Sequence, residues 1–496
     1  MSPPLQVNPL FSSRVDPDRR RHSHPFSPLH NHPPGNQVSP ENPFQGETAS
    51  STEYPSGRSS TECGDGHLED IEKSLPIHTI PSLRLQVLQS GRGRHGEQLN
   101  KNHEGRCVQV KSASDEPPLP RPRLGIRERL AHFTWAWYTL TMSTGGLSLL
   151  IRAQPHQFPG LRHIGLAVYV VNLVLFVIVT AALTTRFVLF PKTFLRSVTH
   201  PREGFFVPTF FLSIATIITS THRYCVPDDP DVALATAPGL LWAIQIAFWV
   251  YVAVTTGVAV GQYSYVFAAH SLGLQTMMPT WILPIFPVML SGTIASVISE
   301  SQPAAAAGVA VVVAGLTCQG LGIAVASMMY AHMVGRLMQS GLPDREHRTG
   351  LFMCVGPPAF TAIAFIGMAR GLPENFDHDM DGLVDAAYIE TMGVVGAGFL
   401  WALSFWWFGI AVLAVAQSPP KHFHLGWWAA VFPNTGFTLA TISLGAAFCN
   451  EGILWLATAM SALLLLTYLF VLYHHVRAVI VQDIMYPGRD EDVEDH

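Results

Sequence analysis

Charge is what this sequence has least of. Asp, Glu, Lys and Arg make up 13% of its 496 residues, against 48% hydrophobic residues, and much of that charge lies in a polar N-terminal region. The remainder is too apolar for a soluble globular domain and implies a polytopic membrane protein. The net charge of -5 sits in tails and loops, so no basic face for nucleic acid is expected. Cysteine is scarce as well. The six present (Cys63, Cys107, Cys225, Cys318, Cys354 and Cys449) form no C-x-x-C pair, which removes the commonest zinc and redox motifs. Cys318 and Cys354 lie in apolar runs, where a free thiol behaves as a small hydrophobe. Cys225 and Cys449 are the pair that a disulfide would join, but free thiols are the expectation. There is no G-x-x-x-x-G-K-[ST] run, so ATP is not the energy source. The apolar runs hold no His or carboxylate cluster to act as metal ligands or as an acid–base pair. An enzyme is therefore not expected, nor a cofactor or metal.

Three regions follow from composition. Residues 1–120 are rich in Pro, Ser, Gly, His and Arg, with no apolar periodicity long enough to build a core, and are expected to be a disordered tail. Arg19, Arg20 and Arg21 raise the idea of a mitochondrial presequence, but Asp16, Asp18 and nearby prolines oppose an amphipathic targeting helix. Residues 124–480 hold the membrane domain, and residues 481–496 form an acidic C-terminal tail.

Within the membrane domain, ten apolar runs approach or exceed the ~20 residues that a helix needs to cross hydrocarbon. They cover 133–151, 164–189, 205–221, 238–261, 280–298, 304–334, 350–370, 393–416, 425–446 and 453–476. An even count puts both ends on one side. Lys and Arg accumulate on the cytoplasmic side of membrane proteins. Arg127, Arg129, Arg186, Lys192, Arg196, Arg202, Arg336, Arg345, Arg348, Lys421 and Arg477 share the side of the N-terminus. Only Arg152, Arg162, Arg223 and Arg370 lie opposite, beside acidic groups such as Asp228, Asp229 and Glu300. Both termini are therefore expected in the cytoplasm.

The ninth run contains WWAAVFPNTGFT at 427–438, with Pro433 at mid-membrane depth. Proline lacks an N–H and crowds the preceding turn, so the helix kinks or breaks there and a carbonyl upstream loses its partner. Such a break is tolerated in hydrocarbon only where protein or a water-filled path satisfies it. The pattern recurs. The seventh run has Gly356-Pro357-Pro358, the fifth Pro284 and Pro287, the third Pro208, and the first Gly145-Gly146 beside Ser143 and Thr144. The even runs are smooth, apart from Pro238 at the edge of the fourth. Kinked odd helices around a centre, inside even helices that face lipid, would produce this partition; kinks that only pack helices together are the competing reading.

No Asp, Glu, Lys or Arg lies near the middle of any run, so no intramembrane proton relay is expected. Ser143, Thr144, Thr216, Thr219, Ser291, Thr293, Thr361, Asn434 and Thr435 are the polar groups on offer. Hydroxyls, an amide and the positive ends of broken helices favour an anion. Taken singly, each Ser or Thr could equally bond its own backbone. Arg370, at the outer end of the seventh helix, is placed either to collect anions at the mouth or to anchor the interface.

At this point the chain resembles a known family. HFTWAWYTLTMSTGG at 132–146, PTWILPIFPVMLSGTIA at 279–295, GLFMCVGPPAFTAIAFIGMARG at 350–371, GWWAAVFPNTGF at 426–437 and YPGRDED at 486–492 are similar, in order, to the fungal malic-acid (C4-dicarboxylate) permeases. These belong to the tellurite-resistance/dicarboxylate transporter family and are related to plant slow anion channels. The resemblance covers about 127–492 and leaves out the N-terminal tail. It implies an all-α fold of ten transmembrane helices in five hairpins, the odd helices lining a central pore, assembled as a homotrimer in the lipid bilayer. It implies transport of malate, succinate or similar C4-dicarboxylic acids with protons, in the plasma membrane, with an anion channel or sulfite efflux pump as the other function known for this fold. Carriage as the monoanion is expected on separate grounds, because no Lys or Arg at the centre of a run would compensate the second charge of a dianion. Phe432, in the FP pair of the ninth helix, takes the place of the pore-occluding phenylalanine, with Phe286 and Phe360 as neighbours.

Two features stand apart. Asp377-His378-Asp379-Met380-Asp381-Gly382 looks like the start of a calcium loop, but its twelfth position is Tyr388 rather than Glu, so a solvated acidic loop is expected. His132, at the mouth of the first run, is either an interfacial residue or a proton sensor.

Overall fold

The computed structural model describes residues 122–270, 272–302, 305–373, 376–377 and 385–491. The expected disordered tail at 1–120, together with Cys63 and Cys107, lies outside these residues, as does most of the calcium-loop-like stretch after Asp377. Among the described residues the structure is helical, with no strand.

Thirteen α-helices follow in order: α1 (Ile126–Ala131), α2 (Tyr138–Arg152), α3 (Leu161–Leu189), α4 (Lys192–Thr199), α5 (Val207–Cys225), α6 (Pro230–Thr236), α7 (Pro238–Ala269), α8 (Phe286–Ile298), α9 (Ala305–Ser340), α10 (Gly356–Arg370), α11 (Ala386–Gln417), α12 (Phe432–Ala447) and α13 (Glu451–Val481). Among the described residues, eight helical segments are long and apolar enough to cross a membrane; they contain α3, α5, α7, α8, α9, α10, α11 and α13. The first and ninth expected runs correspond to α2 and α12, of 15 and 16 residues, which are shorter than that length.

Burial divides these helices sharply. In the segments of α5, α8 and α10, 67%, 83% and 83% of the apolar stretch is buried; in those of α3, α7, α9, α11 and α13 the share is only 17–39%. α2 and α12 are buried along nearly their whole length. The buried helices pack in a closed order: α2 on α5, α5 on α8, α8 on α10, α10 on α12, and α12 back on α2. The exposed ones lie outside, α3 against α2 and α5, α7 against α5 and α8, α9 against α8 and α10, α11 against α10 and α12, and α13 against α12.

Every buried helix starts in the same way. A 3-10 segment precedes each, at Trp135–Trp137, Glu203–Phe206, Pro279–Ile285, Arg345–Val355 and Leu425–Ala430. In four of the five, proline then occupies the first α-helical turn, where its missing N–H would have had no partner in any case. The break expected near Pro433 falls between Ala430 and Phe432. Tighter bonds carry the chain into it, with Trp427 N donating to His424 O at 3.0 Å and Val431 N to Trp428 O at 3.0 Å.

Several carbonyls around these breaks find side-chain donors. Tyr251 of α7 donates to Pro287 O at 3.0 Å, Tyr263 of α7 to Trp281 O at 2.8 Å, and Tyr330 of α9 to Cys354 O at 2.8 Å. At the α12 break, Asn434 Nδ2 donates to Ala430 O at 2.8 Å. In hydrocarbon each of these carbonyls would cost several kcal/mol unpaired, so hydroxyls on the outer helices make the inner breaks affordable.

One ion pair ties the start of the domain together. Arg186 at the end of α3 meets Glu203 at 2.5 Å, and both are almost fully buried; Arg186 also donates to Phe133 O at 2.8 Å. The C-terminal stretch folds back on the same region. Leu124 N donates to Gln482 Oε1 at 3.0 Å and Thr134 Oγ1 to Glu491 Oε2 at 3.0 Å, while Asp490 accepts from Met485 N and Tyr486 N. Cys225, Cys318, Cys354 and Cys449 are all free thiols, so the Cys225–Cys449 disulfide is not formed.

Candidate functional site

The prolines that start α8 and α12 also set the phenylalanines. Phe286 and Phe432 are the first residues of their helices, and Phe360 lies one turn into α10. The three rings form one cluster. Phe360 and Phe432 stack at 5.1 Å between centroids with 25° between planes; Phe286 meets Phe360 edge-on at 5.7 Å and Phe432 at 6.1 Å. Phe432 is 1% exposed.

Glycines make room for these rings. A Cβ on Gly436 would lie 2.6 Å from the Phe360 ring, and one on Gly356 would lie 2.6 Å from Phe286 Cζ. At Gly146 a Cβ would meet Phe432 at 3.3 Å. The GPP and PNTG stretches thus mark helix starts and also admit aromatic rings, whereas α2 runs unbroken through Gly145 and Gly146, where a kink was expected, and its glycines serve close packing alone.

Against this cluster lies a small cavity of about 20 Å³, lined by Gly146, Leu149, Ala215, Thr216, Thr219, Leu290, Thr293, Ile294, Phe360, Phe432, Thr435 and Leu439. Its walls come from all five buried helices. The volume suits about one water molecule, so a multi-carbon acid could enter only if the phenylalanine rings or the helices moved. The lining holds no Asp, Glu, Lys or Arg; its polar groups are four threonines. The starts of α8, α10 and α12 meet at the phenylalanine cluster, which turns the positive ends of three helices toward it.

The expected site residues divide into three groups. Phe432, Phe360, Thr216 and Thr435 line the cavity, and Phe286 touches the first two. Ser143 and Ser291 are buried without lining it. The others are turned to structural use. Thr144 pairs with Tyr468 of α13 at 2.9 Å, Asn434 bonds Ala430 O across the break, and Thr361 accepts from Gln319 of α9 at 2.7 Å. Arg370 is held by Glu390 of α11 at 3.0 Å, and His132 caps the end of α1. Near the same end of the ring as Arg370, Arg152 donates to both carboxylate oxygens of Asp228 at 2.5 and 2.7 Å.

Sequence reasoning missed the apolar lining, Leu149, Leu290, Ile294 and Leu439, because apolar residues in a membrane helix carry no polar signal. It also passed over Asn172 and Gln319, two fully buried amides on outer helices. A signal existed: Asn172 is the lone amide in the run AVYVVNLVLFVIVTAAL.

The family model of the voltage-dependent anion channels (SLAC1) matches residues 132–476, the greater part of the chain and every helix described above from α2 to within α13. The chain belongs to this family. Among its relatives, a malic acid transport protein of Schizosaccharomyces pombe is 35% identical over 375 residues, which is 75% of this chain and 84% of the relative. A second protein of that organism, named for malic acid transport, is 31% identical over 377 residues, 75% of this chain and 86% of its own. A sulfite efflux pump of Arthroderma otae is 25% identical over 325 residues, 64% of this chain and 83% of the pump. With its apolar helices and its membership of a family of channels and transporters, the chain is a multi-pass membrane protein.

Proposed function

We propose that this protein is a permease for malate and related C4-dicarboxylic acids, carried through the centre of the five buried helices as the monoanion or together with protons. The observation that carries this reading is the uncharged, threonine-bearing cavity closed by the stacked rings of Phe360 and Phe432. A dianion would bring two charges into a lining with no compensating cation, and each desolvated charge is costly. Threonine hydroxyls and helix N-terminal ends suit a single charge. The choice of a dicarboxylate over sulfite rests on the relatives, since the malic acid transport protein is 35% identical and the sulfite pump 25%.

In this reading α2 and α12 also cross the membrane, giving ten spans in five hairpins, with α2, α5, α8, α10 and α12 lining the path. Phe432 is the gate, with Phe360 and Phe286 as its supports, and Thr216 and Thr435 are the first polar contacts of the anion. Thr144 and Asn434 hold the surrounding helices rather than the cargo, and Ser143 and Ser291 are buried behind the lining. Arg370, tied to Glu390, offers only a partly neutralised charge at the mouth. Both termini lie in the cytoplasm, the protein resides in the plasma membrane, and three copies assemble as a trimer.

The test is uptake of radiolabelled malate into proteoliposomes, with and without an inward proton gradient, beside sulfite and chloride in the same vesicles. The expected result is malate uptake that rises as external pH falls toward the second ionisation of the acid. Uptake that follows the dianion would overturn the monoanion reading, and a sulfite or chloride flux without malate uptake would replace the permease by an anion channel or sulfite exporter.

A further inference from the structure

α3 is an outer helix whose Val170, Val171 and Val174 are about half exposed, yet Asn172 between them is fully buried. Neither Nδ2 nor Oδ1 of Asn172 has a hydrogen-bond partner among the described residues. A polar side chain inside a membrane is expensive to leave unpaired, and amides there ordinarily bond across helices, so a buried amide with no partner calls for a ligand.

The surroundings of Asn172 show where the amide is aimed. A Cβ on Gly145 of α2 would lie 2.8 Å from Asn172 Nδ2 and 2.3 Å from Thr216 Oγ1. The glycine therefore opens a window between α2 and α5, with the amide of α3 on one side and the hydroxyl of Thr216 on the other. Thr216 lines the central cavity, and its hydroxyl donates to Ser213 O at 2.8 Å.

The same arrangement recurs on α9, at the same separation along the chain. Gln319 is fully buried, and its Oε1 lies 2.4 Å from where a Cβ on Gly292 of α8 would sit. There the amide bond is made: Gln319 Nε2 donates to Thr361 Oγ1 at 2.7 Å, and Thr361 donates to Pro357 O at 2.7 Å. An outer-helix amide can thus reach an inner-helix threonine past a glycine.

We propose that Asn172 is a specificity-determining residue of the transport path, acting on the cargo through Thr216. When a carboxylate enters the cavity, Thr216 turns its O–H from Ser213 O to the anion, and Asn172 Nδ2 donates to the Thr216 oxygen. The two bonds form a donor chain in which each polarises the next, so the amide strengthens the hydroxyl as an anion ligand. This deepens the permease reading and rests on it for the identity of the anion, though not for the role of the amide.

The experiment compares wild type, Asn172→Leu, Asn172→Asp and Thr216→Val as full-length proteins in proteoliposomes, with every rate divided by the amount of monodisperse protein. Asn172→Leu is expected to fold at least as well as wild type, because it removes an unpaired buried amide. It should raise the KM for malate about tenfold, the effect of weakening one charge-assisted hydrogen bond. Thr216→Val should do the same, and Asn172→Leu should add little to it. Asn172→Asp, relative to wild type at the same pH, should be poor at about pH 7, where the carboxylate only accepts and repels the anion, and should recover at about pH 5 as the buried acid protonates and can donate. Asn172→Leu should show no such recovery. An unchanged KM per folded molecule in Asn172→Leu, whatever its abundance, would overturn the proposal. If wild type carries sulfite or chloride instead of malate, the permease reading fails, while the same comparison on the anion that is carried still decides the role of Asn172.

Discussion

Phe360 and Phe432 stack at 5.1 Å across the boundary between α10 and α12, and both rings face the central cavity. Neither helix could bring its ring there alone, because each starts at a proline-marked break and each ring occupies space left by a glycine. If this stack is the barrier, Phe432→Ala opens it while leaving the break at Pro433 in place. The expected outcome is an uncoupled anion leak with weaker selectivity among acids at near-normal expression. Conductance and folded protein measured on the same membranes check this. A loss of folded protein, as for a core Phe→Ala change costing ~3–5 kcal/mol, with flux per molecule unchanged, would reject the gate.

Gly436 tests the same stack from its other side. Its Cβ position lies 2.6 to 2.9 Å from three atoms of the Phe360 ring, so Gly436→Ala must displace that ring. Overpacking of this kind costs ~1–3 kcal/mol. A lower unfolding temperature is expected, restored in part by adding Phe360→Leu. An unshifted midpoint for the single variant would mean that the ring moves freely.

The buried pair of Arg186 and Glu203 predicts a non-additive cycle. Removing one partner leaves an uncompensated charge and costs ~3–5 kcal/mol, whereas replacing both by apolar residues is often close to neutral. Glu203→Ala should therefore sharply reduce thermal stability in detergent, and Arg186→Met/Glu203→Leu should recover much of the loss. A double variant as unstable as the sum of the singles would show that the pair is not coupled.

His424 gives a pH dependence. It donates through Nε2 to Glu346 O, and its ring lies 5.9 Å from that of His347. Burial lowers its pKa from 6.5 to about 4, opposed by the Glu346 carbonyl and carboxylate. The folded protein thus keeps His424 neutral where the unfolded chain binds a proton. Its contribution to stability is whole above about pH 6.5 and is lost as pH falls toward 4, by at most ~1.4 kcal/mol per pH unit. His424→Gln should flatten this part of a stability profile measured by thermal unfolding between those pH values; an identical slope in the variant would exclude His424 as its source.

Length and apolar composition already located eight of the ten expected runs as helices long and apolar enough to cross a membrane, because crossing hydrocarbon demands a run of residues visible in the sequence alone. Proline carried further information, since its missing N–H cannot be hidden: Pro208, Pro287, Pro357 and Pro433 each mark the start of a buried helix. Sequence also singled out Phe432 through its resemblance to a known family. It could not say which hydroxyls face inward. Ser143, Thr144, Ser291 and Thr361 carry the same hydroxyl as Thr216 and Thr435, but the rotation of each helix about its axis is set by its neighbours, and that rotation turned Thr144 toward Tyr468 and Thr361 toward Gln319. Nor could it pair Arg370 with Glu390, Arg186 with Glu203 or Asn172 with Gly145, contacts made only when one helical segment packs on another in a given rotation. The residue types were readable because the bilayer selects them by composition; the site was decided by tertiary packing, because only packing determines which faces of five broken helices meet.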